Sequence, residues 1–329
     1  MSRAGSGRCV GEVTKVIIQT GMRTDIPAFY SEWLTNRLKE GYVLVRNPFN
    51  ALSVTRYELD PEVVDMIGFC TKNPAPMLDH MTLLEPYHQY WFVTITPYGK
   101  DIEPNVPDYH IVIEDFKRLS DIVGLHSVGW RYDPIILNEE WTIDRHIEIF
   151  EKMADMLSGY TETCVISFID LYDKVKKNYP EVRPVSMDDQ LRMTEAFVKS
   201  GKHYGFTIKP CGESKKLESV GADCSGCMTV EVYEKAIGKR LHVPANPKNR
   251  KECACYLTGD IGQYNTCGHL CRYCYANVDP EIVKKNMAKH DPNSPFLIGG
   301  SRLEDVIHPA KQTSWIVSQM SLEDYQWEE

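Results

Sequence analysis

Seven short apolar runs recur along the first two thirds of the chain, and most are separated by stretches patterned as helices. They fall at residues 15–19, 42–45, 65–70, 90–96, 126–130, 164–168 and 206–209. Between them, residues 28–39, 111–123 and 187–200 read as helices. In the stretch 143–157, Ile143, Ile147, Phe150, Ala154 and Leu157 share one helical face. Apolar runs that alternate with helices belong to parallel βαβ units, whose strands are buried on both faces. Seven units at this spacing predict an α/β fold, a full or partial (β/α) TIM-type barrel. A doubly wound parallel sheet is the alternative.

Either fold builds its site from polar residues at the C-terminal ends of its strands. Arg23, Asp25, Asn47, Lys72, Asn73, Tyr98, Glu103, Arg131, Asp133, Asp170 and Cys211 all stand at or just past such ends. Each alone would be an ordinary loop or cap residue; their repetition is the signal. Arg23, Asp25, Lys72, Arg131 and Asp133 are the candidate catalytic residues, and Asn73, Lys72, Arg131 and Tyr273 the candidate cofactor contacts. Cys164 opens its strand and reads as core, and Cys70 as a buried thiol. Thr24 or Asp25 is placed to cap the first helix.

The strand–helix rhythm gives way to turns, lysines and cysteines from Gly212 onward. Residues 1–222 form the expected barrel, and residues 223–329 a cysteine-rich segment. There Cys267, Cys271 and Cys274 stand in a CxxxCxxC motif with Tyr273 before the last cysteine. Three thiolates hold three irons of a 4Fe–4S cubane and leave the fourth open. An open iron can chelate the amino and carboxylate groups of S-adenosylmethionine, whose one-electron cleavage yields a 5′-deoxyadenosyl radical. A zinc site would want a fourth ligand and a second knuckle. His269, inside the motif, would tune a cluster by hydrogen bonding or lie solvated. Cys211, Cys227, Cys253 and Cys255, with Cys224 as a substitute for Cys227, form a second candidate set. It would be a fully ligated centre, 4Fe–4S or zinc, tying the terminal segment to the barrel.

The 329 residues carry a net charge of −9, which argues against a large basic nucleic-acid surface. No apolar run is long enough to span a membrane. Residues 1–11 are polar and glycine-rich, without the apolar core of a signal peptide, so a cytoplasmic location is expected. Eleven cysteines in a large chain of this kind point to metal or redox chemistry rather than disulfides. GxGxxG after the first strand, the P-loop, the GxSxG elbow and HExxH are all absent from the sequence. Three readings remain: a radical S-adenosylmethionine enzyme, an iron–sulfur carrier or sensor, and a zinc-stapled binding barrel. A large barrel with a polar mouth favours the first. That reading calls for an electron donor such as flavodoxin or ferredoxin and leaves the substrate open.

Several segments together resemble the domain of unknown function 1848 family. They are RTDIPAFYSEW at residues 23–33, GYVLVRNPF at 41–49, TKNPAPML at 71–78, TPYG at 96–99, WRYDPI at 130–135, CVISFIDLY at 164–172 and the terminal CxxxCxxCYAN. The likeness spans about residues 15–277. That family is similar to the radical S-adenosylmethionine superfamily, and TKNP and TPYGKDIEPNVP resemble segments of spore photoproduct lyase-like members. The resemblance implies the same cofactor pair but no substrate. One departure stands out: the superfamily motif normally follows the first barrel strand, and here it comes last. The terminal segment therefore has to fold back over the barrel mouth.

Overall fold

The computed structural model describes residues 16–243, 255–256 and 259–317. Ten strands occur among these residues: β1 (Ile17–Gln19), β2 (Tyr42–Arg46), β3 (Ser53–Glu58), β4 (Met66–Thr71), β5 (Gln89–Thr94), β6 (Val128–Ile135), β7 (Thr163–Phe168), β8 (Thr207–Pro210), β9 (Gly259–Asp260) and β10 (Val306–Pro309). The helices are α1 (Ile26–Phe29), α2 (Ser31–Glu40), α3 (Ala75–Leu78), α4 (Tyr109–Val123), α5 (Ile143–Leu157), α6 (Asp173–Asn178), α7 (Met187–Tyr204), α8 (Val230–Ile237) and α9 (Pro280–Met287). None is long and apolar enough to cross a membrane.

The main sheet runs β8-β7-β6-β5-β4-β1-β9, with every described pairing parallel. From β1 through β8 each new strand adds on the same side, so the winding never reverses. A doubly wound sheet reverses at a switch point. The architecture is therefore compatible with a partial (β/α) barrel. Among the described residues β8 and β9 remain as edges and no closed barrel forms.

The run at 42–45 is a strand but not a barrel strand. Here β2 pairs antiparallel with β3, and β10 joins β3 in parallel, forming a separate three-stranded sheet. The Asn47 side chain accepts from the backbone N–H of Phe49 and Asn50, at 2.8 and 3.2 Å, and turns the chain back within a few residues. So short a connection permits only an antiparallel partner. The predicted first helix is divided at Tyr30, whose backbone (φ −136°) leaves the helical region. Asp25 caps α1, accepting from Ala28 N at 3.1 Å.

Alternation along the parallel strands separates two faces. Ile67, Phe69, Trp91, Val93, Trp130, Tyr132, Cys164 and Ile166 lie in the core shared with Phe116, Phe150 and Phe197 of the helices. Phe69 stacks on Trp91 with centroids 3.7 Å apart, and Phe150 on Phe197 at 4.0 Å. The opposite face presents Ile17, Met66, Tyr90, Phe92 and Val165. It is covered by Tyr233 and Ile237 of α8 with Leu241 and Trp315. Residues from 223 on thus cover this face and also add β9 to the main sheet and β10 to the small one.

Candidate metal centre

The CxxxCxxC loop lies across the C-terminal ends of β1, β4 and β5. Its path is set locally. Leu270 takes a left-handed φ of 57°, and Cys274 N donates to Cys271 O at 3.1 Å, closing a turn that carries two of the thiols. Asn277 Nδ2 donates to Cys267 O at 2.8 Å, and Ala276 N to Cys274 Sγ at 3.3 Å. Gly268 passes so close to Phe29 that a Cβ there would stand 2.7 Å from its ring. Tyr30 OH holds Thr266 O at 2.6 Å.

Contacts from three strand ends clamp this loop. After β1, Asp25 Oδ2 lies 2.9 Å from His269 Nε2 and accepts from Lys72 N at 2.8 Å. After β4, Lys72 Nζ reaches Glu103 Oε1 at 2.9 Å and Thr96 Oγ1 at 3.1 Å. After β5, Asn105 Nδ2 donates to Gly268 O at 2.7 Å, and Arg272 N donates to Ile102 O at 3.0 Å. Tyr273 OH donates to Glu103, so the tyrosine expected beside a cofactor is held by a buried carboxylate. Arg23 forms an ion pair with Asp260 of β9 at 3.1 Å. Asn73 Oδ1 accepts from Ala75 N at 3.3 Å, two residues on, at the approach to α3. Of the predicted residues, Arg23, Asp25, Lys72 and Tyr273 therefore hold the terminal segment against the sheet.

The electrostatics favour a cationic guest. Burial pushes the Cys267, Cys271 and Cys274 thiols up, with Asp25 adding to it at Cys267 and Glu103 at Cys271. Burial opposes the Lys72 charge, but Glu103 and Cys271 outweigh it and raise its pKa. Thiols held as S–H become ligands when a metal displaces their protons. Among the described residues three buried polar groups here have atoms without a hydrogen-bond partner: the Gln19 amide at the end of β1 with both its atoms, Thr24 Oγ1 in the next loop, and Asn277 Oδ1 in the segment after the cysteine loop. Buried polar groups are ordinarily paired. Among the described residues no three His, Cys, Asp or Glu side chains converge to hold one ion. A cubane does not ask for that, because each of its thiolates binds its own iron.

Arg131 and Asp133 lie within β6 rather than past its end, because the strand continues to Ile135. Both project from the face opposite the helices. Arg131 Nη2 pairs with Asp133 Oδ2 at 2.5 Å, and Ser167 donates to the other carboxylate oxygen. Burial opposes ionisation of both, yet each holds the other charged: Arg131 is raised well above its ordinary value and Asp133 is lowered. The thiols of Cys211, Cys227 and Cys70 also act on Arg131. Cys227 Sγ lies 3.5 Å from Cys211 Sγ and 3.4 Å from Cys255 Sγ. Cys224 stays apart, packed against the helix-side core, and Cys253 lies outside the described residues. None of the described cysteines is in a disulfide. Burial pushes Cys70 up to about 12, and Cys164 is fully buried in the helix-side core.

Sequence reasoning missed Thr96, Asn105, Ser167 and Gln19. Thr96, Asn105 and Ser167 are ordinary polar residues whose roles come from partners on other segments, and Gln19 stands out only by the burial of its unpartnered amide. A model of the family described as Domain of unknown function (DUF1848) matches residues 17–276. No curated protein matches the chain.

Proposed function

The chain belongs to the DUF1848 family, and from that premise we propose that it is a radical S-adenosylmethionine enzyme acting on a substrate yet to be identified. The observation that carries the reading is the CxxxCxxC loop, three half-buried thiols on one short loop, lying over the C-terminal ends of β1, β4 and β5. Cys267, Cys271 and Cys274 would hold a 4Fe–4S cluster. Bound there, the cluster supplies the single electron that cleaves S-adenosylmethionine reductively, drawn from a donor such as flavodoxin or ferredoxin.

The protein's own work is to hold and exclude. The Asp25–His269 and Asn105–Gly268 contacts fix the loop, so the thiols keep their spacing when the metal enters. Lys72 brings a cation beside Cys271, where it offsets the negative charge of thiolates. Tyr98 and Tyr273, with ring centroids 6.3 Å apart, wall one side. The Gln19 amide, buried and unpartnered among the described residues, is free to hydrogen-bond a bound polar group. The Arg131–Asp133 pair gives a bound substrate or cofactor both a fixed cation and a fixed carboxylate.

The test is spectroscopic. Reduced, cluster-loaded protein is examined by EPR with and without S-adenosylmethionine. A changed signal on addition supports chelation at an open iron. An unchanged signal, with four ligands accounted for, would favour the electron-carrier reading instead.

A further inference from the structure

Three half-buried arginines, Arg23, Arg46 and Arg131, each pair with a carboxylate, on Asp260, Asp305 and Asp133. Arg37 on α2 is buried more deeply, at 4 % exposed, and has no carboxylate partner among the described residues. Its Nη2 donates to Asn293 O at 3.0 Å, and its Nε has no partner. Burying an unpaired ion is costly, so such charges are ordinarily matched. The C-terminal end of α2 favours cations, but that effect is small beside the burial of an unpaired ion. Arg37 also lines a cavity of about 240 Å³ between α2, the start of β2 and the segment after α9. Asn36, Lys39, Tyr42 and Asn293 share its walls. Glu40 stands on the exposed rim and pairs with neither Arg37 nor Lys39. Arg56 stacks on the Tyr42 ring at 3.9 Å but already has Glu58 at 2.7 Å.

We propose that this cavity binds a phosphate group, as the inorganic ion or as a small monoester, with Arg37 and Lys39 supplying the counter-charge. Two cations beside neutral amides suit a compact dianion with several acceptor oxygens better than a single carboxylate. The Arg37 guanidinium stays charged when buried and carries donors beyond the one given to Asn293 O. A water takes about 30 Å³ of liquid, so the cavity has room for the phosphate and a small organic portion. The ligand would sit where α2 already holds the segment after α9. There Trp33 Nε1 donates to Ser294 O at 2.8 Å and Asn36 Nδ2 to Pro292 O at 3.0 Å. Binding therefore fastens that segment to α2, apart from the cysteine loop and the Arg131–Asp133 pair.

The test titrates the full chain calorimetrically with inorganic phosphate, with glycerol 3-phosphate and with acetate, at constant ionic strength. Saturable binding of a single phosphate per chain is expected. Binding should weaken by about tenfold or more in Arg37→Gln and by less in Lys39→Ala. Lys152→Ala, on the exposed side of α5, should leave it unchanged. Tighter binding of glycerol 3-phosphate identifies a monoester as the ligand, and tighter binding of the inorganic ion identifies phosphate itself. Absence of saturable binding by either phosphate overturns the proposal. So does acetate that binds as tightly as phosphate, or phosphate binding that survives Arg37→Gln intact. If Arg37→Gln does not fold, Lys39→Glu serves in its place, setting a carboxylate at the rim beside Arg37. Phosphate binding should then weaken by about tenfold or more, and unchanged binding overturns the assignment.

Discussion

Two groups of three thiols stand in this molecule, and they are built in opposite ways. Cys267, Cys271 and Cys274 lie on one short loop, half-buried, facing polar residues at the strand ends. Cys211, Cys227 and Cys255 come from three distant segments, and the Cys227 sulfur lies against the other two. A contiguous loop can present thiols to separate irons around an open position. The surroundings differ as well: the loop borders the polar mouth, while Cys227 and Cys255 lie in an apolar core with Tyr90, Tyr233 and Trp315.

The largest effect expected from disturbing one group and not the other comes from the triple alanine variant of the loop. It should lose all cluster iron; a triple variant that keeps iron and sulfide would mean that the cluster is held elsewhere. Next is Glu103→Gln. It leaves the Lys72 cation without its carboxylate partner and leaves one amide oxygen where Lys72, Thr96 and Tyr273 now share two carboxylate oxygens. Breaking one side of a buried pair costs about 3 kcal/mol. Chemical denaturation should show a loss of that order, with cluster retention reduced. Asp25→Asn should cost less, about 1–2 kcal/mol, because the amide keeps one acceptor for Ala28 N or Lys72 N but weakens the bond to His269.

A control lies in neither group. His146 is fully buried, with Nδ1 2.7 Å from Tyr132 OH and Nε2 2.8 Å from Ile136 O. Burial pulls its pKa down from 6.5 to about 4. Between those values the unfolded chain binds more protons than the folded one, so stability falls as pH drops from about 6.5 to about 4. The loss is at most about 3 kcal/mol. It should be the same with and without metal and should flatten in His146→Gln. A slope that persists in His146→Gln would place its origin in another group.

The apolar runs announced the parallel strands well because a strand buried on both faces must be apolar throughout. The same signal misplaced residues 42–45, since an apolar run says nothing about its pairing partner. It also ended β6 too early: Arg131 and Asp133 interrupt the run but alternate onto one face, where the Arg131–Asp133 pair allows their burial. Spacing alone was enough to mark the cysteine loop. The clamps that seat it were not legible, because the Asp25–His269 and Asn105–Gly268 contacts join residues far apart in sequence. Sequence pattern offered Cys224 as a stand-in for Cys227; the structure sets only Cys227 beside Cys211 and Cys255.

The central claim is that the loop of 267–274 serves S-adenosylmethionine chemistry. Its most direct test is anaerobic reconstitution with iron and sulfide, reduction by dithionite, addition of S-adenosylmethionine, and chromatography for 5′-deoxyadenosine. The account predicts slow release of 5′-deoxyadenosine and methionine without added substrate, abolished in the triple alanine variant. A fully loaded, reduced protein that leaves S-adenosylmethionine intact would contradict it.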